Sequence, residues 1–212
     1  DFVGYGADPA WVLDTVRDFV ATGALAIQGN HDLATVLGAS PEMRADAKAV
    51  IEWTRAQLSA DQLAFLDELP LSRRHGEKLF VHANAYAPAA WDYVLNAELA
   101  LRSMLATPCR YTFCGHMHQP RLFHGGSASR AGEAMPRPGV PIQLKQDRQW
   151  LIIPGSAGQP RDGNPAACYA IFDDQEPSIT YHRVDYDHDT AAGKVRAAGL
   201  PLRLAARLRT GH

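Results

Sequence analysis

Three short apolar runs in this chain each stop on a polar cluster that carries histidine. Residues 24–28 (ALAIQ) lead into Gly29-Asn30-His31-Asp32, residues 77–81 (EKLFV) stop at His82, and residues 110–114 (RYTFC) lead into Gly115-His116-Met117-His118. Short apolar runs bounded by turn signals have the length and composition of buried strands. The end of a buried strand is also where an α/β protein displays its chemistry. A fourth run, residues 149–153 (QWLII), enters the glycine turn at residues 154–158. Helix-spaced segments separate the runs, so the pattern predicts mixed α/β layers with sheets inside and helices outside.

The helical segments carry their own boundary signals. Asp8-Pro9 reads as an N-cap followed by Pro at the first helical position; Leu13, Val16 and Val20 follow at helical spacing, flanked by Trp11 and Phe19, and Gly23 ends the run. Residues 40–58 open on Ser40-Pro41 and place Ala47, Val50, Ile51 and Leu58 on one stripe. Ser59 and Gln62 have capping-box spacing, and Pro70 closes that segment. Residues 90–106 read as a helix with a break near Asn96. From Gln119 to about Gln149 the signal weakens; glycine, serine, arginine and proline dominate between Gly125 and Pro141, which predicts a long loop with an edge strand near residues 141–146. Residues 167–173 and 178–186 read as a hairpin pair, and an amphipathic helix from Thr190 is interrupted at Gly199 to Pro201. No repeat or linker divides the 212 residues, so a single domain over 1–212 is expected.

The net charge of −2 supplies no basic field for an extended nucleic-acid surface. No apolar run approaches the roughly 20 residues that span a bilayer, and no secretory pattern opens the sequence. Cys109, Cys114 and Cys168 form no metal spacing and suit a reducing compartment, so a cytoplasmic protein is expected. The sequence opens at Asp1 without methionine, and further residues upstream are expected.

Each polar cluster has a plain reading beside a chemical one. Asn30 and Asp32 favour turns, and Asp32 suits the start of a helix. In an extended strand His116 and His118 point to one face and present two imidazoles together, with Met117 turned away and Gly115 easing the backbone; an isolated pair of this kind is more often a chance occurrence. A lone His82 after a strand is more often structural than a ligand. The shared position of all of them after apolar runs shifts the balance. Imidazole nitrogen with carboxylate and amide oxygen suits divalent Mn, Fe, Zn or Ni. His75, His124, His182, His188 and His212 read as surface or loop residues.

Taken in order, Asp1, GNHD, VH and GHMH resemble the motifs of the calcineurin-like metallophosphoesterase family, and residues 2–9 and 152–173 resemble its flanking text in the bacterial branch. The resemblance runs from Asp1 to about Asp173. It implies a two-sheet β-sandwich flanked by helices, with two divalent transition metals at the strand ends. Asp1 would bridge them, Asn30, His82 and His116 would complete one, and His118 would bind the other. His31 would face the substrate as proton donor, oriented by Asp32. The family's N-terminal Asp-x-His motif, with its strand and first helix, is not present in these residues, and Ala83 follows His82 where the family often has glycine. The implied activity is hydrolysis of phosphomonoesters or phosphodiesters by a metal-bridging hydroxide, manganese being one candidate metal. The substrate would be a phosphorylated small molecule, a nucleotide or a phosphoprotein. Gln159 and Arg161 are candidates for gripping phosphate, against a structural turn in which Arg161 pairs with Asp162 or a neighbour, and Tyr5 is a candidate for lining the pocket. The competing function is a non-catalytic scaffold on the same fold. A structural zinc site is disfavoured because closed zinc sites are rich in cysteine.

Overall fold

The computed structural model describes residues 1–40, 43, 45–126 and 129–212. The described chain forms two compact units, one of Asp1–Arg73 with Asp187–Arg209 and one of Arg74–Tyr186 with Thr210–His212.

The first unit is helical. Helix α1 (Pro9–Ala21) begins where Asp8-Pro9 predicts, but the Asp8 carboxylate does not cap it; it pairs with Lys194 Nζ at 2.9 Å. Leu13 is fully buried on the expected stripe, while Trp11 and Phe19 face outward. Residues 24–28 make no strand ladder among the described residues. The Gln28 N–H instead donates to Pro70 O at 2.9 Å and its side-chain amide to Leu66 O at 2.8 Å. An apolar run of strand length remains a non-strand when no neighbouring strand is hydrogen-bonded to it. Helix α2 (Asn30–Leu37) starts on the motif itself. Helix α3 (Ala45–Ala56) follows; Pro41, predicted to open it, lies outside the described residues. Helix α4 (Ala60–Asp67) carries the predicted capping box, with Ser59 Oγ accepting from Gln62 N at 3.2 Å and Gln62 Oε1 from Ser59 N at 3.0 Å. Val3, Leu13, Ala26, Leu66 and Leu69 form one core, which draws the segments at residues 1–3 and 26–29 together. At the other end of the chain, Asp187 caps helix α6 (His188–Ala197), and α7 (Leu202–Thr210) follows the predicted interruption. Both pack on Val50 of α3.

The second unit holds the two sheets. In the larger, strands run in the order β1 (Ser72–His75), β2 (Lys78–Val81), β3 (Tyr111–Phe113), β7 (Gln149–Pro154), β4 (Pro120–Gly126) and β5 (Ser129–Ala134). The smaller contains β6 (Ile142–Gln143), β9 (Ser178–Val184) and β8 (Ala167–Asp173). Strands β2, β3 and β7 are parallel, so the chain leaves β2 and β3 at the same edge of the sheet. Alternation along β7 explains the layers. Trp150 and Ile152 join Tyr111, Leu122, Ile179 and Tyr181 in the core between the sheets, while Leu151 and Ile153 face helix α5 (Ala97–Leu105) through Ala100 and Met104.

Two expectations fail here. Pro120–Gly126 and Ser129–Ala134 pair as the antiparallel strands β4 and β5 where a long loop is expected, with Phe123 paired to Glu133 and Leu122 to Ala134. The core-facing signal of Leu122 and Phe123 was diluted by glycine, serine and arginine on the open sides. Residues 91–95 are not helical either, because Asn96 is an N-cap whose Oδ1 accepts from Leu99 N at 3.0 Å. Of the histidines read as surface or loop residues, His124 lies on β4 with its ring against Trp150, and His182 lies on β9 stacked on Tyr169.

Candidate active site

In the first unit the chemistry gathers around the entry to α2. Asp32 is fully buried and serves as a backbone anchor. Its Oδ1 accepts from Phe2 N at 2.8 Å and Val3 N at 3.2 Å, and its Oδ2 reaches back to Gly29 N at 2.9 Å. This is the helix-start reading of Asp32: an acidic residue in the first turn satisfies an orphan N–H of its own helix. The same carboxylate pins the segment that carries Asp1. Asp1 Oδ1 in turn accepts from His31 N at 2.9 Å. Two glycines make this closeness possible. A Cβ on Gly29 would stand 2.0 Å from Asp1 Oδ1, and one on Gly4 would stand 2.6 Å from His31 Nδ1. Tyr5 lies on the His31 ring with centroids 4.3 Å apart, and Asn30 is the first, half-buried residue of α2.

In the second unit β2 and β3 deliver three histidines. His82 is buried, and its Nε2 stands 3.0 Å from His116 Nδ1. The Gly115 N–H donates to His82 O at 2.8 Å and ties the two strand ends together. The stretch from Gly115 to His118 is not extended, which corrects the expectation that both imidazoles share a strand face. His116 and His118 both adopt left-handed backbone, φ 63° and 59°. Non-glycine residues in that region are uncommon, and the strain of about 1–3 kcal/mol each persists only where the surroundings hold it. The kinks send the rings to different partners. His116 meets His82 and stacks on Tyr93 at 4.0 Å, whereas His118 Nδ1 donates to Gln159 O at 2.7 Å.

That last bond fixes a tautomer. A carbonyl oxygen only accepts, so His118 carries a proton on Nδ1, a bond of the kind common among metal-ligating histidines. His116 is held neutral: burial, reinforced by His82, lowers its pKa to about 4, against the pull of a hydrogen bond to the Trp91 backbone. Neutral imidazoles are what a metal requires.

Gln159 is buried and organises the far side. Its Oε1 accepts from Arg161 Nε at 3.2 Å and Nη2 at 3.0 Å, and Arg161 N donates to His118 O at 3.0 Å. Asp162 pairs with Arg183, so Gln159 rather than Asp162 is the neighbour that Arg161 meets. Sequence reasoning missed Trp91 and Tyr93. Trp91 has left-handed backbone, φ 58°, and its ring meets His82 edge-on at 5.7 Å. Neither residue stands in a motif, and their text reads as helix.

Residues 6–176 match the family model of the calcineurin-like phosphoesterase superfamily domain. The uncharacterized protein MJ0912 of Methanocaldococcus jannaschii is 35% identical over 217 residues, spanning 100% of this chain and 84% of that protein. The crystal structure of a metallophosphoesterase from Sphaerobacter thermophilus is 34% identical with a TM-score of 0.89, covering 100% of this chain and 86% of that one. Hypothetical protein PH1004 from Pyrococcus horikoshii OT3, at 17% identity and a TM-score of 0.76 over 100% and 83% of the two chains, shares the fold. The chain belongs to the calcineurin-like phosphoesterase superfamily. The two-sheet α/β architecture expected from the motifs is the one observed. The family typically binds divalent metals, and a neutral His116 beside His82 fits such ions.

Gly29→Ala should destabilise the chain by about 1–3 kcal/mol in urea unfolding, because the new methyl displaces Asp1; unchanged stability would contradict the packing. The pKa of His116 also sets a pH dependence in the metal-free protein. Below the ordinary value of 6.5 the unfolded chain takes up a proton that folded His116 refuses until about 4. The contribution is full above 6.5 and lost as pH falls towards 4. His116→Asn, which tolerates left-handed backbone, should flatten the fall in urea midpoint between pH 7 and pH 4.5; equal slopes would refute the assignment.

Proposed function

We propose that the protein is a metal-dependent phosphoesterase that hydrolyses phosphomonoesters or phosphodiesters. The observation that supports the reading is the bond from His118 Nδ1 to Gln159 O in a chain of the calcineurin-like phosphoesterase superfamily. Asp1, Asn30, His82, His116 and His118 would hold two divalent transition metals, Mn, Fe, Zn or Ni. Bound there, such ions lower the pKa of water and offset phosphate charge.

The chain's own residues then have separate tasks. His31 donates a proton to the departing ester oxygen. Asp32 supports His31 through the backbone, by fastening Gly29 and the Phe2–Val3 segment that place its ring. Gln159 fixes the His118 tautomer with its carbonyl and holds two nitrogens of Arg161 with its amide oxygen. Arg161 grips the phosphate, since guanidinium matches phosphate oxygens in a fork. Tyr5 limits the motion of the His31 ring. The substrate would be a phosphorylated small molecule, a nucleotide or a phosphoprotein. A cytoplasmic setting is supported by Cys109, Cys114 and Cys168, buried and free, and among the described residues no helix is long and apolar enough to cross a membrane.

The test is hydrolysis of para-nitrophenyl phosphate and its bis-ester by chelator-stripped protein with and without Mn²⁺. Turnover should require the metal. His31→Ala should lower kcat by about 10²–10⁴-fold with the metal content unchanged. Turnover by neither substrate in any metal would favour the scaffold function. Loss of metal in His31→Ala would overturn the role given to His31.

A further inference from the structure

We propose that Tyr93 and Trp91 form an aromatic lip beside His116 that selects phosphate esters whose leaving group is an aryl ring joined directly to the ester oxygen. The inference rests on the phosphoesterase reading and names its substrate class. Tyr93 lies parallel to the His116 ring, with centroids 4.0 Å apart and planes at 17°. It is nonetheless 42% exposed, so much of the ring remains open to a ligand. Trp91 meets the other histidine of the pair, edge-on to His82 at 5.7 Å.

The lip is built and held. Trp91 keeps a left-handed backbone, an outlier for a bulky side chain and a mark of a position over-determined by its surroundings. The surroundings are visible. Asn84 is fully buried, donates from Nδ2 to Asp92 O at 3.0 Å and accepts from Ala87 N at 2.8 Å. Ala85 N donates to Ser103 Oγ at 2.9 Å, and Val94, between the tyrosine and α5, lies in the core. A ring fixed before the ligand arrives loses little freedom on binding.

Reach decides the class. A phosphate gripped beside His116 puts a directly attached ring next to Tyr93. A nucleobase, one ribose further out, passes beyond it. Aromatic pairs of this kind are worth about three- to tenfold in affinity.

The test is calorimetric titration of the full Mn²⁺-loaded chain with phenylphosphonate and methylphosphonate, and with AMP and ribose 5-phosphate. The wild type should prefer phenyl over methyl by about three- to tenfold and show no preference for AMP over ribose 5-phosphate. Tyr93→Leu should bring the phenyl-to-methyl ratio towards one with the metal content unchanged, and Tyr93→Phe should keep it. Tyr169→Leu, which removes an exposed tyrosine stacked on His182, should also keep it. Equal affinity for the two phosphonates, no binding of either, or a preference for AMP alone would overturn the proposal. A phenyl preference lost in Tyr93→Leu, in a protein that hydrolyses no ester, would uphold the lip and overturn the phosphoesterase reading.

Discussion

The hydrogen bond between the His118 ring and the Gln159 carbonyl is the constraint on which the chemistry of this molecule turns. It places a proton on Nδ1 and holds the ring. The bond exists because β7 delivers the chain into the turn at residues 154–158, whose next residue is the buried Gln159. The carbonyl of Gln159 then serves His118 while its amide oxygen serves Arg161. One residue thereby holds both the His118 ring and the Arg161 guanidinium.

Strain is concentrated at the same place. His116, His118 and Trp91 are the non-glycine residues of positive φ among those described. Such conformations need a rigid frame, and the frame is close at hand. Strand β7, buried on both faces, runs beside β3 and keeps its end in register through Phe113 and Ile152. Helix α5 covers the opposite face through Met104 and Ala100. The first unit uses a different device for the same end, a buried carboxylate with three backbone N–H groups.

Much of this was legible in the residues. The histidine clusters after apolar runs, the capping box at Ser59 and Gln62, the β8–β9 hairpin and the glycine turn after β7 all carry local signals strong enough to read. What was not legible depends on partners distant in sequence. ALAIQ has the composition of a strand, yet strand status needs a hydrogen-bonded neighbour, which composition does not report. GHMH reads as extended until left-handed backbone at two histidines separates the rings. Residues 91–95 carry helical spacing, but Asn96 caps α5 and frees the preceding residues to place Tyr93 against His116. The β4–β5 pair hid behind small and polar residues that its open faces permit.

The central claim is that the fixed imidazoles are metal ligands. Manganese titration of chelator-stripped protein, followed by the electron paramagnetic resonance of bound Mn²⁺, tests it most directly. The account predicts saturable binding with nitrogen coupling from imidazole, and the loss of one bound ion in His118→Ala. Binding that survives that substitution undiminished, or a wild type that takes up no manganese, zinc, iron or nickel, would contradict it.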